Sequence, residues 1–232
     1  MDKKELRFNA VSMSIRTDET GMPTRCIDGT AIVFNSQSEL LNEKGLKFYE
    51  TIKPEAVTQD LINSSDIAML YNHDSSEGIL ARSKKGTGTL SIALTQTGVD
   101  FSFNAPCSPI GDNVLESVKR GDLDACSFAF YVKEGGDVWQ KVGDVYNRTI
   151  NAIASLVDFS IVFSPAYTAT VCNSRGLNEL IESETALIDE EQRLIEEESQ
   201  RKIDKEIEEQ RLKDEKLQAY YANLNNFLSS IV

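Results

Sequence analysis

Apolar and polar positions alternate along most of the first 165 residues, and the runs are short. Strands are expected at Leu6–Ile15, Gly29–Phe34, Phe48–Ile52, Ile67–Tyr71 and Ile79–Arg82, with a turn at Asp18–Gly21 and a loop from Ser36 to Lys44. Two hairpins follow from the turn residues between alternating runs. One joins Thr89–Leu94 to Val99–Ala105 over Thr95–Gly98, and the other joins Val138–Val142 to Asn147–Ile150 over Gly143-Asp144. Pro54 opens a helix, since proline is tolerated in a first turn. A clearer helix spans Ile110–Arg120 and stops at Gly121, which accepts the positive φ of a helix C-terminus. Cys126, Phe128 and Phe130 then alternate with Ser127, Ala129 and Tyr131, and Ile153–Phe163 closes the series as a buried strand. Many short strands with two modest helices predict an α+β fold: a compact β-barrel-like domain with peripheral helices.

The pattern changes after about Asn173. Glycine and proline disappear beyond Gly176, and Leu180-Ile181, Leu187-Ile188 and Leu194-Ile195 recur every seven residues. Glu184, Glu191 and Glu198 interrupt the stripe where a coiled coil would place leucine. Ile203, Ile207 and Leu212 continue it out of phase, and Tyr220, Tyr221, Leu224, Phe227 and Leu228 form an apolar end. The expectation is a globular domain over residues 1–172 and a long acidic helical tail over 173–232. The tail reads either as a solvated helix or as an assembly arm.

Charge narrows the function. The net charge is −13, which argues against binding nucleic acid by neutralising phosphate. About 15 acids against about 7 bases lie between Gly176 and Val232, so the acidity belongs mainly to the tail. No run approaches the roughly twenty apolar residues that cross a bilayer. Met1–Arg7 lacks the apolar core of a secretion signal, so a cytosolic protein is expected. Cys26, Cys107, Cys126 and Cys172 are widely spaced, without a C-x-x-C pair. With one histidine they make no usual zinc set, and buried free thiols are expected. No cofactor motif is present.

Three side chains carry candidate chemistry. His73 is the only histidine, at the end of the Ile67–Tyr71 strand. Ser127 is a lone hydroxyl beside bulky apolar residues, and Asp158 sits in Leu156–Val162. A serine hydroxyl becomes a nucleophile when imidazole takes its proton and a carboxylate fixes the tautomer. Each residue type has a plainer fate: a hydrogen-bonded loop histidine, a packed serine, a surface carboxylate. Asp74 is the rival partner of His73, but neighbouring side chains diverge, which favours Asp158. Cys126 adjoins Ser127 and points the other way, into the core.

Asn72-His73-Asp74, Cys126-Ser127-Phe128-Ala129-Phe130 and Val157-Asp158-Phe159-Ser160-Ile161-Val162-Phe163-Ser164-Pro165-Ala166 occur in that order. Together they resemble the prohead maturation proteases of tailed bacteriophages, a family related in fold to the herpesvirus assemblins. The likeness runs from about Gly29 to about Val171. It implies an assemblin-like fold and a serine endopeptidase with His73, Ser127 and Asp158 as its catalytic residues. A single histidine excludes a Ser-His-His arrangement, so an acid must fill the third role. The family also places a "G-R"-like strand end near the site. Ala81 departs from the usual glycine there, and Arg82 becomes a candidate for orienting a water or stabilising an oxyanion. The implied partners are the major capsid protein and scaffold segments, met inside the assembling prohead in the host cytoplasm, with self-association through the tail and autoproteolysis near Val171–Leu177. A catalytically inactive scaffold or capsid-assembly module is the alternative. A small-ester hydrolase lacks its Gly-x-Ser-x-Gly elbow.

Overall fold

The computed structural model describes residues 4–9, 13–43, 45–163 and 175–229. Two compact units divide the chain, Met1–Glu179 and Leu180–Val232. Cys172, Ser164-Pro165-Ala166 and residues 171–174 of the expected cleavage region lie outside the described residues.

Sheet order in the first unit decides the site. A six-stranded mixed sheet runs β1 (Glu5–Asn9), β11 (Ala125–Val132), β14 (Ile153–Val162), β6 (Asp66–Tyr71), β7 (Ala81–Lys84) and β8 (Thr87–Gly88). A second sheet runs β2 (Ser14–Thr17), β3 (Pro23–Val33), β10 (Gly98–Asn104) and β9 (Leu90–Leu94). The third runs β12 (Asp137–Val142), β13 (Val145–Ile150), β5 (Leu46–Ile52) and β4 (Leu41–Glu43). Most pairs are antiparallel, but β14 with β6 and β13 with β5 are parallel.

Both predicted hairpins form. Several boundaries differ from the sequence expectation. The Leu6–Ile15 run is divided between β1 and β2, which belong to different sheets. The Ser36–Lys44 loop contains β4. Pro54 opens only a 3-10 turn, followed by the six-residue α1 (Gln59–Ser64), whose first turn is capped by Thr58 Oγ1 accepting from the Leu61 N–H at 3.1 Å. Among the described residues the strands make three sheets and no closed barrel. The first and second sheets approach at both edges, β1 beside β3 and β7 and β8 beside β9, without a hydrogen-bonded ladder between them.

The core fills the space between those two sheets. Ile27, Ile32, Val99, Phe101 and Phe103 meet Cys126, Phe128, Phe130, Phe159 and Ile161, all 3% exposed or less. Burying a Phe or Ile side chain contributes about 1.5–3 kcal/mol, so this contact fixes β11 and β14 firmly. Helix α2 (Pro109–Arg120) covers the core with Val114 and Val118. Its N-terminus has Ser108 as cap and Pro109 in the first turn, and its C-terminus turns at Gly121 with φ +78°. A Cβ at Gly111 would lie 2.1 Å from the Pro106 carbonyl oxygen, so only glycine lets the helix start there. Gly121 then turns the chain toward the start of β11.

The second unit holds most of α3 (Arg175–Ser229), a 55-residue helix. Leu187, Leu194, Ile195, Ile203, Ile207 and Leu212 are exposed along it. Ion pairs such as Arg193–Glu190, Lys202–Glu198 and Arg211–Glu208 link successive turns.

Candidate active site

Ladder register decides which side chains share a face. Ser127 stands opposite Ser160, Phe128 opposite Phe159 and Ala129 opposite Asp158. Phe130 then pairs with Leu156, leaving Val157 as an extra residue in β14. This β-bulge reverses the alternation. Leu156 therefore faces the core, while Asp158, two residues later, shares the opposite face with Ser127 and Ser160. Strict alternation would have put Leu156 and Asp158 together.

His73 reaches the same place from β6. The chain reverses over Tyr71–Asp74, where the Asp74 N–H donates to the Tyr71 carbonyl at 3.0 Å. Asn72 and His73 have φ of +51° and +59°, as at the two central positions of a type I′ turn. A left-handed conformation at a residue other than glycine costs about 1–2 kcal/mol. Two bonds to β14 hold it: the Asn72 N–H donates to the Ile161 carbonyl at 3.2 Å, and the His73 N–H donates to Ser160 Oγ at 3.1 Å.

Three functional groups from β6, β11 and β14 thus converge. His73 Nε2 is 2.6 Å from Ser127 Oγ, and His73 Nδ1 is hydrogen-bonded to Asp158 Oδ1. A carboxylate only accepts, so Nδ1 carries the proton and Nε2 is left to accept from the serine hydroxyl. Ser127 and Asp158 are 6% and 3% exposed, whereas the imidazole keeps 17% of its surface. Ser127 Oγ also lies 2.8 Å from the Arg7 carbonyl oxygen of β1. The hydroxyl has one hydrogen, so the carbonyl and Nε2 compete for it. The arrangement can deprotonate a buried hydroxyl and hold the resulting imidazolium against a carboxylate. Lys4 Nζ stands 3.9 Å from Asp158 Oδ2, adding positive charge to that side.

The other candidates are bonded elsewhere. The Asp74 carboxylate accepts from the Ser76 N–H at 2.8 Å, and its bonds to Ser76 hold its pKa below the usual carboxylate value. The Arg82 guanidinium grips Asp66 with two bonds of 2.7 and 2.6 Å at the surface. Asp66, two residues along β6 from its ladder partner Ala68, captures it, and among the described residues it makes no hydrogen bond or ion pair with Ser127, His73 or Asp158. Cys126 is fully buried and packs in the core, and desolvation pushes its thiol up to about 12. Cys107 is exposed and Cys26 half-buried, so burial of all the thiols does not hold. At pH 8 only about one Cys126 thiol in ten thousand is ionised, and the thiolate is the reactive form. Iodoacetamide on the native protein is therefore expected to modify Cys107 and spare Cys126, with Cys126 alkylated only after denaturation, as read by peptide mass spectrometry.

Ser160, part of the Asp158-Phe159-Ser160 motif of the family likeness but given no role there, is wholly buried and bonded to both His73 and Asp158. Sequence reasoning missed a buried ionic cluster beneath β1. Arg7 donates to Glu50 and Glu5 at 2.5–2.7 Å, and Arg148 donates to Glu5, Glu50 and Asp137 at 2.6–2.9 Å. Their wide separation along the chain left no local sequence signal.

No curated protein and no solved structure gave a match to the chain. A family model did, that of the caudovirus prohead serine proteases, over residues 11–182. The matched span includes β6, β11 and β14 and the three side chains that converge between them. On that coverage the chain belongs to the caudovirus prohead serine protease family.

Proposed function

We propose that this member of the family is a capsid maturation endopeptidase in which Ser127 is the nucleophile, His73 the general base and Asp158 the residue that orients His73. The observation that supports the assignment is the continuous hydrogen-bonded path from Ser127 Oγ through the imidazole to Asp158 Oδ1. In the first step Oγ bonds to the scissile carbonyl carbon as its proton passes to Nε2. The tetrahedral oxyanion collapses, the C–N bond breaks, and the Nε2 proton goes to the leaving amine. Water then attacks the acyl-enzyme ester, giving its proton to Nε2, and Ser127 recovers the hydrogen as the acid product leaves.

The proposed substrates are scaffold and capsid-protein segments of the prohead, and the chain's own tail near Val171–Leu177. Helix α3 is the proposed assembly arm, supported by its exposed leucines and isoleucines. Such residues give a partner helix or a second copy something to pack against. A serine-reactive fluorophosphonate is expected to label Ser127 with 1:1 stoichiometry, and the active chain is expected to shed the arm, leaving a fragment ending between Val171 and Leu177 by intact-mass measurement. A folded protein that takes up no probe and keeps its full mass beside its capsid partners would instead be the inactive scaffold module.

A further inference from the structure

We propose that Ser160 is a positioning residue, its hydroxyl tying the left-handed turn that carries His73 and the carboxylate of Asp158 into one rigid unit. The inference rests on the protease reading for its effect on rate, while its structural half can be tested without turnover. Ser160 is 0% exposed and stands directly across the β11–β14 ladder from Ser127. Three contacts meet at its oxygen. The His73 N–H reaches it at 3.1 Å, His73 Nδ1 lies at 3.1 Å, and Asp158 Oδ1 lies at 3.0 Å.

Only one assignment of hydrogens serves all three. The carboxylate cannot donate, so the single hydroxyl hydrogen of Ser160 goes to Asp158 Oδ1. Its lone pairs then receive the His73 backbone N–H and a share of the Nδ1–H. A buried serine usually satisfies itself on nearby backbone groups. Here all three contacts run to the residue that carries the base and to the carboxylate that orients it. The hydroxyl thus offsets the left-handed conformation of His73 at +59° and fixes the distance between imidazole and carboxylate. A shift of about 1 Å in such a group can cost about a hundredfold in rate.

The experiment compares wild type with Ser160→Ala and Ser160→Cys, the second filling the space without a strong donor. Fluorophosphonate labelling of Ser127 is followed against time. The sole imidazole is followed by proton NMR, where one histidine gives one low-field N–H resonance. Both variants are expected to label about ten to a hundred times more slowly, with the resonance displaced. Wild-type rate and resonance in Ser160→Ala would overturn the proposal, as would full recovery in Ser160→Cys, which would make volume the cause. The resonance is read on folded protein, so a wild type that fails to label counts against the protease reading and leaves this test standing.

Discussion

Ser127→Ala is expected to lower peptide cleavage by at least about a thousandfold while leaving the protein folded. The substitution removes one oxygen from a side chain that is 6% exposed and whose partners are His73 Nε2 and the Arg7 carbonyl. Neither partner becomes a buried donor without an acceptor, because Nε2 and the carbonyl are both acceptors. The loss of one such bond is worth about 0.5–1.5 kcal/mol, a small part of a domain's stability. His73→Ala should cost a similar factor in rate, and the double variant little more than either alone, since nucleophile and base act on one step. The comparison needs a capsid-protein substrate and a denaturation curve for each variant. Turnover by Ser127→Ala within tenfold of wild type would end the assignment, and additive losses would mean that the two residues serve separate steps.

Local punctuation is what the sequence displayed most clearly. Gly121 as a helix stop, the turn residues of both hairpins and the alternation through Cys126–Tyr131 each depend on neighbours within about four residues, and each is found. The family likeness was legible for the same reason, since its three motifs are short. What remained hidden depends on remote pairings. The parallel contacts of β6 with β14 and of β5 with β13 join segments roughly ninety to a hundred residues apart, and no periodicity announces them. The bulge at Val157 breaks the two-residue period of β14, so alternation alone does not tell that Leu156 and Asp158 take opposite faces. Glu5 and Arg7 alternate with Leu6 and Phe8, a pattern that ordinarily turns the charges to solvent, yet they are 1% and 5% exposed while Leu6 and Phe8 are only half-buried. A charge in an alternating pattern reports solvent only when no opposite charge waits inside, and here the partners stand on β5 and β13.

That inverted strand leads to the largest stability effect expected. Arg148 is the centre of the cluster: its guanidinium donates to Glu5, Glu50 and Asp137 and lies over the Trp139 ring, 5.1 Å from its centroid. It is 1% exposed, so Arg148→Met would leave Glu5 and Glu50 sharing Arg7 inside the protein. Removing one partner from a buried ionic set costs about 3–5 kcal/mol, because the remaining charge is neither hydrated nor compensated. Arg148→Lys keeps the charge but not the planar fork, and should remain about 1–3 kcal/mol below wild type. Adding Glu50→Gln to Arg148→Met should return part of the loss, since Arg7 then faces one buried carboxylate, Glu5, instead of two. Urea unfolding of wild type, Arg148→Met, Glu50→Gln and the double variant measures the coupling. The same cluster holds β1, whose Arg7 carbonyl touches Ser127 Oγ and whose backbone pairs with β11 through the Arg7–Phe128 and Phe8–Ser127 positions. Loosening β1 should therefore slow labelling of Ser127 at denaturant concentrations too low to unfold the domain. If Arg148→Met unfolds within about 1 kcal/mol of wild type, the cluster is dispensable for stability, and β1 must be held on β11 by its backbone ladder alone.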